Sequence, residues 1–551
     1  MQVAQYITEQ LAQWGVTRIY GVAGDAILPW LDALGKQQQI RYVACRHEAA
    51  AAMMASAEAK LTGKPAVCTA TSGPGTFQLL NGLADAQTDR APVVAITGQV
   101  ETYKLGGEYK QYVPQEDVMR PICRYTTTVT HPQAIGEVLQ RAFVTAESQQ
   151  GVAHLAVCKD VFSRTTGCPL IPELPRQASG LRADRGEVEQ AAEWIGRAKR
   201  PLMLLGIGAR GVADACQRLA EQAGAGVLVS LGAKGVIEES HPLMLGGLGE
   251  GGSRAGLDAL AAADLLVILG ASWFPQEYIP AGLPVVQVDR SIESIHFHPD
   301  LFSVTADLEE VLPLWLRRLE NKRPDPDWMA RVERWHAAFW QETEQAVDAG
   351  PDQPVTPEAL MHALSRAVDD DAVITLDTGE HTIWFNRAFR AVSQRPLFSG
   401  KWRTMGYGLP AAIAAKLNQP QRQVICVTGD GGLQMYMSEL MTAVEQETAF
   451  LLIVVNNGTL GLEEWKMRQS GLVPFGTRLQ NPDFVQWARA CGVSARSIRS
   501  RDELASALAE VCASDRLTLL DVQCTLPTLT ERKREIPFQA QASSVYNERK
   551  I

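Results

Sequence analysis

Short, fully apolar runs alternate with longer stretches of helical periodicity along almost the whole chain. Apolar runs bounded by turn residues are typical of strands buried on both faces, and such strands separated by helices are typical of parallel sheets. The pattern therefore predicts the α/β fold class, with three successive doubly wound parallel-sheet domains. The predicted strands are 66–71, 92–97, 201–206, 226–231, 264–270, 285–289, 423–428 and 450–455, with a helix over 435–447 between the last two.

Breaks in this pattern mark the predicted domain boundaries. The proline-rich segment 168–175 and the polar run up to about residue 186 are typical of a linker. A charged stretch over about 320–350 predicts a connecting helix with an apolar stripe of Trp328, Val332, Trp335 and Phe339. Thr356 can cap a further helix that starts at Pro357. The predicted domains are 1–168, 186–320 and 355–530, followed by a tail at 531–551.

Composition narrows the class of protein. At 551 residues the chain is too long for one core, since domains average roughly 150 residues. A net charge of −10 without basic clusters argues against a nucleic-acid partner. The amino-terminal segment has the spacing of a core-facing helix, no apolar run approaches membrane-spanning length, and the tail is polar without an amphipathic stripe. The ten cysteines form no CxxC pairs, which favours reduced thiols, so we expect a cytoplasmic protein with no membrane partner.

A magnesium site is predicted where GDGG, at 429–432, follows one strand and VVNN, at 454–457, ends the next. Because a βαβ crossover returns the second strand parallel to the first, Asp430 and Asn457 both fall at the carboxyl edge of the sheet. If the strands are neighbours they lie about 4.8 Å apart, so the two side chains can share one ion. Mg²⁺ prefers oxygen ligands beside phosphates, and the backbone carbonyl of Thr459 can complete the set.

The glycines around Asp430 suit a diphosphate group. Gly429, Gly431 and Gly432 let the backbone come close to it, and the following helix directs its first NH groups the same way. The alternative is an ordinary strand-to-helix turn, because short glycine motifs match by chance. The twenty-four residues between Gly431 and Asn456 give a spacing that resembles the GDG to NN signature of thiamine diphosphate (ThDP) enzymes.

A second, distant segment carries the same resemblance. Residues 46–75, RHEAAAAMMASAEAKLTGKPAVCTATSGPG, resemble the pyrimidine-binding domain of ThDP-dependent 2-oxo acid enzymes. This implies that Glu48 hydrogen-bonds the aminopyrimidine ring and helps the coenzyme to deprotonate its own thiazolium carbon, and that Gly73 belongs to the coenzyme-binding turn. A half-buried carboxylate suits the role because burial raises its proton affinity. The alternative is a surface or capping glutamate at the start of a helix.

Residues 403–432 resemble the coenzyme-binding domain of pyruvate oxidases. The resemblance implies that Met405 wedges between the two coenzyme rings and holds them in a bent shape. An unbranched, polarisable thioether can fill such an irregular gap. A plain core methionine is the alternative.

The central part resembles the FAD-binding domain of pyruvate oxidases and acetohydroxyacid synthases in four pieces: GIGAR (206–210), AKG (233–235), LGASWFPQEY (269–278) and QVD (287–289). Glycine turns at strand ends permit close approach of a dinucleotide, and an arginine can pair with its phosphate. The alternative is a domain without flavin, in which these are only turn and surface residues. The flavin contacts that the resemblance implies are Gly206, Gly208, Arg210, Lys234 and Asp289.

The predicted substrate pocket departs from the oxidase and acetolactate synthase pattern. Gln111 matches the glutamine that faces the reacting carbon, but Lys110 replaces a phenylalanine beside it. Leu462 keeps one apolar position, Glu463 takes the other, and Lys466 stands near the position of a glutamate. Since buried charges need partners or a charged ligand, we hypothesise that Lys110 or Lys466 recognises an anionic group of the substrate. Alternatively, both lysines point into solvent.

The resemblance spans nearly the whole chain and is to the group of bacterial pyruvate oxidase and acetolactate synthase. It implies ThDP- and Mg²⁺-dependent decarboxylation of a 2-oxo acid such as pyruvate, with oxidation or transfer of the remaining fragment and FAD in the central domain. A carboligase, a non-oxidative decarboxylase acting on a more anionic 2-oxo acid, and a non-catalytic ThDP-binding paralogue remain alternatives. A homodimer or homotetramer is also implied, because in the family the coenzyme lies between the first domain of one subunit and the last domain of another.

Overall fold

Three parallel β-sheets of six strands each form the framework of the chain. The computed structural model describes residues 1–175, 183–249, 251–296, 298–347, 352–512 and 514–525. Neighbouring strands run parallel in all three sheets, and helices connect them. The predicted fold class, three successive α/β doubly wound domains, is confirmed.

The first domain has the strand order β2-β1-β3-β4-β6-β5. Its strands are β1 (Arg18–Gly21), β2 (Arg41–Ala44), β3 (Ala66–Ala70), β4 (Val93–Gln99), β5 (Tyr125–Val129) and β6 (Val152–Cys158). Its helices are α1 (Val3–Gln13), α2 (Leu28–Gly35), α3 (Glu48–Thr62), α4 (Pro74–Thr88), α5 (Gln115–Met119), α6 (Ile135–Ser148) and α7 (Lys159–Phe162).

The central domain has the strand order β12-β11-β10-β7-β8-β9. Its strands are β7 (Pro201–Leu205), β8 (Gly226–Val229), β9 (Met244–Gly247), β10 (Leu265–Leu269), β11 (Val285–Asp289) and β12 (Leu301–Thr305). Its helices are α8 (Arg185–Arg197), α9 (Ala213–Ala223), α10 (Arg254–Ala262) and α11 (Leu308–Arg318), and the long helix α12 (Pro326–Val347) follows them.

The third domain has the strand order β14-β13-β15-β16-β18-β17. Its strands are β13 (Val373–Leu376), β14 (Arg395–Phe398), β15 (Val424–Gly429), β16 (Leu451–Asn456), β17 (Ser494–Ile498) and β18 (Thr518–Gln523). Its helices are α13 (Pro357–Ala367), α14 (Glu380–Ala388), α15 (Gly408–Asn418), α16 (Asp430–Met435), α17 (Glu439–Glu445), α18 (Gly461–Gln469), α19 (Phe484–Ala490) and α20 (Arg501–Cys512).

Most of the predicted elements occur, and one is wrong. The observed strands begin and end within one or two residues of the predicted ones. Thr356 caps α13 by accepting a hydrogen bond from the NH of Ala359 at 3.2 Å. The predicted apolar stripe of α12 packs inward. The helix predicted over 435–447 is instead two helices, because α16 already starts at Asp430 and Tyr436 leaves the helical conformation. The Tyr436 ring packs against Gly406, where a Cβ atom would lie only 2.4 Å from it.

One hydrophobic core extends from the first domain into the third, because α3 packs directly against α15. Buried alanines line the contact on both helices, among them Ala52 of α3 and Ala412 of α15. Gly82 of α4 continues this close packing, since a Cβ atom there would lie 2.6 Å from the Cβ of Ala52. Small residues let backbones approach closely, so the first and third domains are packed as one unit while each keeps its own sheet.

A buried ion cluster joins the same two domains. The ammonium of Lys60 on α3 lies 2.8 Å from Asp85 and 2.7 Å from Asp89, and it donates to the carbonyl of Phe398 at 3.0 Å. Asp89 also accepts the NH of Gly400 at 2.7 Å. Burial alone would lower the pKa of Lys60, but the two carboxylates raise it above its usual value.

Two predictions concern parts of the chain that the structure leaves open. The domain boundaries at 168, 186, 320, 355 and 530 stay predictions, and the polar tail lies outside the described residues.

In the described ranges, no helix combines the length and the apolar character needed to cross a bilayer. None of the ten cysteines forms a disulfide.

We expect Lys60→Met to lower the free energy of unfolding by about 3–5 kcal/mol, because it leaves the buried carboxylate of Asp85 and the largely buried carboxylate of Asp89 without their cation. Chemical denaturation of the full chain measures this. The matched control is Lys36→Met, which removes an ion pair with Asp32 in which both side chains are about two-thirds exposed and should cost less than about 1 kcal/mol. Similar small losses for both variants would contradict the structural role of the cluster.

Candidate active site

The carboxyl edge of the third sheet brings Asp430 and the Asn457 loop together. Strands β15 and β16 are neighbours, with Gly429 opposite Val455. One carboxylate oxygen of Asp430 accepts the NH of Gly458 at 2.7 Å, and the other accepts the NH of Gly431 at 2.9 Å. The strand neighbourhood on which the predicted metal site depends is therefore present.

Asn481 completes this cluster, and the sequence analysis missed it. Its side-chain NH₂ group donates to Asp430 at 2.7 Å and to Asn456 at 2.8 Å. Asn456 in turn donates to Asp521, within β18, at 2.8 Å. Asn481 lies 51 positions from Asp430 in an irregular segment, so no local periodicity or spacing signalled it.

The loop after β16 presents oxygens towards the same edge. The side-chain oxygen of Asn457 accepts the NH of Thr459 at 3.1 Å. The hydroxyl of Thr459 donates to Glu464 at 2.9 Å and to the carbonyl of Thr477 at 3.1 Å, so it is engaged within the protein and the backbone carbonyl remains the predicted ligand. Within the described ranges no three His, Cys, Asp or Glu side chains cluster for a metal. One carboxylate with amide and carbonyl oxygens is a donor set that suits Mg²⁺.

Asp377 supports the turn that carries Met405, and it was also missed. It follows β13, is buried, and accepts hydrogen bonds from the hydroxyl of Thr428 at 2.9 Å and from the NH of Gly406 at 2.8 Å. Burial raises the pKa of Asp377 to about 6, although these hydrogen bonds oppose the shift. Gly432 must lack a side chain, since a Cβ atom there would lie 2.6 Å from the Asp377 carboxylate. An aspartate directly after a buried strand was the only signal in the sequence.

Met405 lies beside the glycine turn, and its place between the two coenzyme rings stays a prediction. Its terminal methyl lies 3.5 Å from the place of a Cβ atom on Gly431. A Cβ atom on Gly429 would meet only the ring of His381, at 3.6 Å. The GDGG turn is thus closely packed at Gly431, next to Met405, and less closely packed at Gly429.

The first domain assembles a second set of predicted residues at the carboxyl edge of its own sheet. Glu48 is the first residue of α3 and is half-buried, and its carboxylate lies 3.1 Å from the place of a Cβ atom on Gly75. Gly73 has φ +64°, and a Cβ atom on it would lie 2.9 Å from the backbone oxygen of Gln111. Gln111 itself has φ +62°. Glu48, the SGPG turn and Gln111 therefore form one neighbourhood.

The predicted pocket residues differ in their surroundings. Lys110 and Lys466 are exposed in the single chain, and Lys466 forms an ion pair with Glu463 at 3.1 Å. Leu462, at the start of α18, is buried. The structure thus pairs Lys466 with a carboxylate of its own helix, and the hypothesis that a lysine binds an anionic substrate group stays a prediction.

In the central domain, the glycines of the GIGAR motif serve close packing. A Cβ atom on Gly206 would lie 2.1 Å from the carbonyl of Gly270, and one on Gly208 would lie 3.0 Å from the Gly270 Cα. Asp289, at the end of β11, is buried and accepts the NH of Ser291 at 3.0 Å, and burial raises its pKa.

Two basic residues of the central domain are engaged inside the protein. Arg210 donates to the carbonyls of Gly232 at 3.2 Å and Lys234 at 2.8 Å, and burial lowers its pKa to about 10. The fully buried ammonium of Lys234 forms an ion pair with Glu239 and donates to the carbonyl of Asn386 at 3.0 Å. These contacts occupy the Nη2 atom of Arg210 and the ammonium of Lys234 within the fold, and contact of the two residues with a flavin stays a prediction.

A cavity of about 310 Å³ lies between the central and third domains. It includes the predicted LGASWFPQEY segment, whose residues Trp273, Phe274 and Tyr278 line one part of the wall. Asn386 of α14 and Arg403, from the segment before Met405, line another part. Aromatic rings with a few polar groups are typical of ligand pockets, so this cavity is a candidate site for a planar ring system.

Comparison with known families agrees with this layout. Residues 1–120 match the N-terminal TPP binding domain of thiamine pyrophosphate enzymes, residues 188–314 match their central domain, and residues 377–522 match their C-terminal TPP binding domain. Each segment lies within one of the three domains described above, although the first ends before β5 and β6.

Individual relatives cover most of the chain. This chain is 35% identical to the putative thiamine pyrophosphate-containing protein YdaP of Bacillus subtilis, over 94% of this chain and 91% of the relative. It is 34% identical to the acetolactate synthase isozyme 1 large subunit of Escherichia coli, over 83% of this chain and 82% of the relative. It is 27% identical to the pyruvate oxidase of Lactiplantibacillus plantarum, over 94% of this chain and 88% of the relative. On its domain matches and on these relatives, the chain belongs to the thiamine pyrophosphate enzyme family.

Proposed function

We propose that this chain decarboxylates a 2-oxo acid, pyruvate or an analogue, with ThDP and Mg²⁺, and oxidises the remaining fragment with FAD. The observation that carries the proposal is the position of the Asp430 carboxylate, which is held between two strand ends by Gly458 and Asn481 at 2.7 Å each. A carboxylate has about four lone-pair sites, so Asp430 can accept these bonds and still face a cation.

The residues around Asp430 fit a magnesium diphosphate. Asp430, Asn457 and the carbonyl of Thr459 would hold the ion, since hard oxygen donors match its preference. Gly431 and Gly432 pack closely, because a Cβ atom there would collide with Leu460 or Asp377, and this packing fixes the turn that would hold the diphosphate.

The remaining candidate residues orient the reacting groups. When bound, ThDP supplies the carbon nucleophile and the electron sink for decarboxylation. Glu48 would exchange a proton with the aminopyrimidine ring, Met405 would keep the coenzyme bent, and Gln111 would orient the substrate. Glu48 and Gln111 are close to one glycine turn, which supports a shared task.

A homodimer or homotetramer would complete the site by joining the first domain of one copy to the third domain of another. Apolar side chains next to both half-sites support this assembly, because they are exposed in the single chain. Phe77, just after the SGPG turn, is 46% exposed, and Met435, at the end of α16, is 53% exposed. Such side chains are typical of surfaces that associate.

Oxidation with FAD is the fate of the fragment that we favour. The aromatic cavity beside α14 supports it, since a flavin there would adjoin the domain that holds ThDP. The second candidate is carbon–carbon bond formation of the acetolactate synthase type. A specific observation favours it, because identity to the acetolactate synthase is 34% and identity to the pyruvate oxidase is 27%.

We expect Glu48→Gln to lower CO₂ release from pyruvate by about 10²–10⁴-fold, the usual contribution of a proton-transferring side chain, while ThDP stays bound. Asp430→Asn should instead weaken the Mg²⁺-dependent retention of ThDP, because the ion loses its carboxylate. Assays of CO₂ and of ThDP bound after desalting measure the two effects.

The control for these variants is Glu9→Gln, which changes an exposed glutamate of α1 and should leave both readouts unchanged. Wild-type CO₂ release by Glu48→Gln would reject the role of Glu48. Unchanged ThDP retention by Asp430→Asn would reject the metal site.

Adding pyruvate to the purified protein without oxygen should bleach its yellow flavin colour, because oxidation of the fragment reduces FAD. The visible spectrum records this, and product analysis runs in parallel. A constant flavin spectrum together with a new hydroxyketone would contradict oxidation and support the carboligase.

The anionic-substrate hypothesis predicts that Lys466→Ala loses roughly tenfold in preference for dicarboxylic or sulfonated 2-oxo acids over pyruvate, as expected for one charge-assisted contact. Lys466→Arg should keep the preference because it keeps the charge. Ratios of kcat/KM for the paired substrates measure it. An unchanged ratio in Lys466→Ala would mean that the side chain serves only its ion pair with Glu463.

A further inference from the structure

The turn that precedes Glu48 is held by a segment of the third domain. Glu439 of α17 accepts the backbone NH of Arg46 at 3.0 Å and that of His47 at 2.9 Å, both on the same carboxylate oxygen. Its other oxygen accepts the hydroxyl of Thr442 at 2.7 Å. Both Glu439 oxygens are therefore occupied, and one of them is committed to the two residues directly before Glu48.

The environment of Glu439 makes these bonds costly to lose. Glu439 is fully buried, so water cannot easily replace it as an acceptor. A buried backbone NH without a partner costs free energy comparable to a lost hydrogen bond. Removing the carboxylate would take this acceptor from the NH groups of Arg46 and His47 next to Glu48, and the turn would shift to find new partners.

Two further contacts come from the same segment. The guanidinium of Arg46 pairs with Glu445 at 2.5 Å, although both side chains are partly exposed. The His47 ring packs edge-on against Tyr436, with centroids 5.2 Å apart, and its Nδ1 accepts the NH of Ala49 and so caps α3. Exposed ion pairs contribute little, so the buried acceptor is the main constraint on the turn.

We propose that Glu439 is a positioning residue for Glu48: by binding the NH groups of Arg46 and His47, it fixes where the Glu48 carboxylate meets its ligand. The inference rests on the role proposed above for Glu48. Because α16 and α17 follow the GDGG turn directly, the segment next to the proposed metal site also sets the position of the proposed proton-transferring side chain. Misplacing a reacting group by about 1 Å can cost roughly 10²-fold in rate.

The test measures deuterium exchange at C2 of the thiazolium ring of ThDP bound to the full-length protein with Mg²⁺, by acid quench and NMR. Glu439→Ala should slow this exchange by about 10- to 100-fold, while the affinity for ThDP changes less than about threefold. Glu439→Gln keeps an oxygen for both NH groups and should exchange within about threefold of wild type. Glu445→Gln, at the exposed ion pair, is the matched control and should leave the exchange unchanged.

The outcomes separate the possible failures. If Glu439 has only a structural role, Glu439→Ala will lower thermal stability and ThDP affinity together but leave the exchange rate of the bound coenzyme unchanged. This result would overturn the proposal. If Glu48→Gln itself left exchange unchanged, the proposed role of Glu48 would fail first. If Glu439→Ala does not fold, Glu439→Asp replaces it, because its carboxylate is shorter by one methylene. The exchange rate of Glu439→Asp should then be lower than that of Glu439→Gln. Equal exchange rates in these two variants would refute the positioning role.

Discussion

The hydrogen bonds to the Asp430 carboxylate are the constraint on which the site of the third domain depends. They join the end of β15, the loop after β16 and Asn481, which lie far apart in the chain. The parallel sheet makes this possible because its crossovers return every strand end to the same edge. Only then does one carboxylate face both a glycine turn and a loop of oxygen donors.

Absent side chains are as important as those present. Gly432 leaves the space that Asp377 fills, and Gly82 lets α4 approach α3. The alanine-rich contact of α3 with α15 merges the cores of the first and third domains. The half-site that contains Glu48 is therefore built on the same rigid unit as the half-site that contains Asp430, and precise chemistry benefits from such support.

Neither Arg210 nor Lys234 lines the cavity of the central domain. Arg210 and Lys234 satisfy carbonyls and Glu239 inside the fold, whereas the rings of Trp273, Phe274 and Tyr278 line the space that faces α14. Burying a charge is tolerable only with partners, and these partners also tie the central domain to the third. The fate of the carbon fragment would then depend on what occupies the aromatic cavity.

The sequence alone determined eight of the eighteen strands that the structure describes, the three-domain α/β class, the cap at Thr356 and the strand-end positions of Asp430 and Asn457, because periodicity, capping and crossover geometry are local or nearly local rules. Only the tertiary structure decided that Asn481, Asp377 and Glu439 belong to these sites, since each bonds to atoms far away in the chain. It also decided that Arg210 and Lys234 point inward and that Tyr436 breaks the predicted helix. Side-chain direction and helix interruption depend on what packs opposite, and a residue pattern does not contain that information.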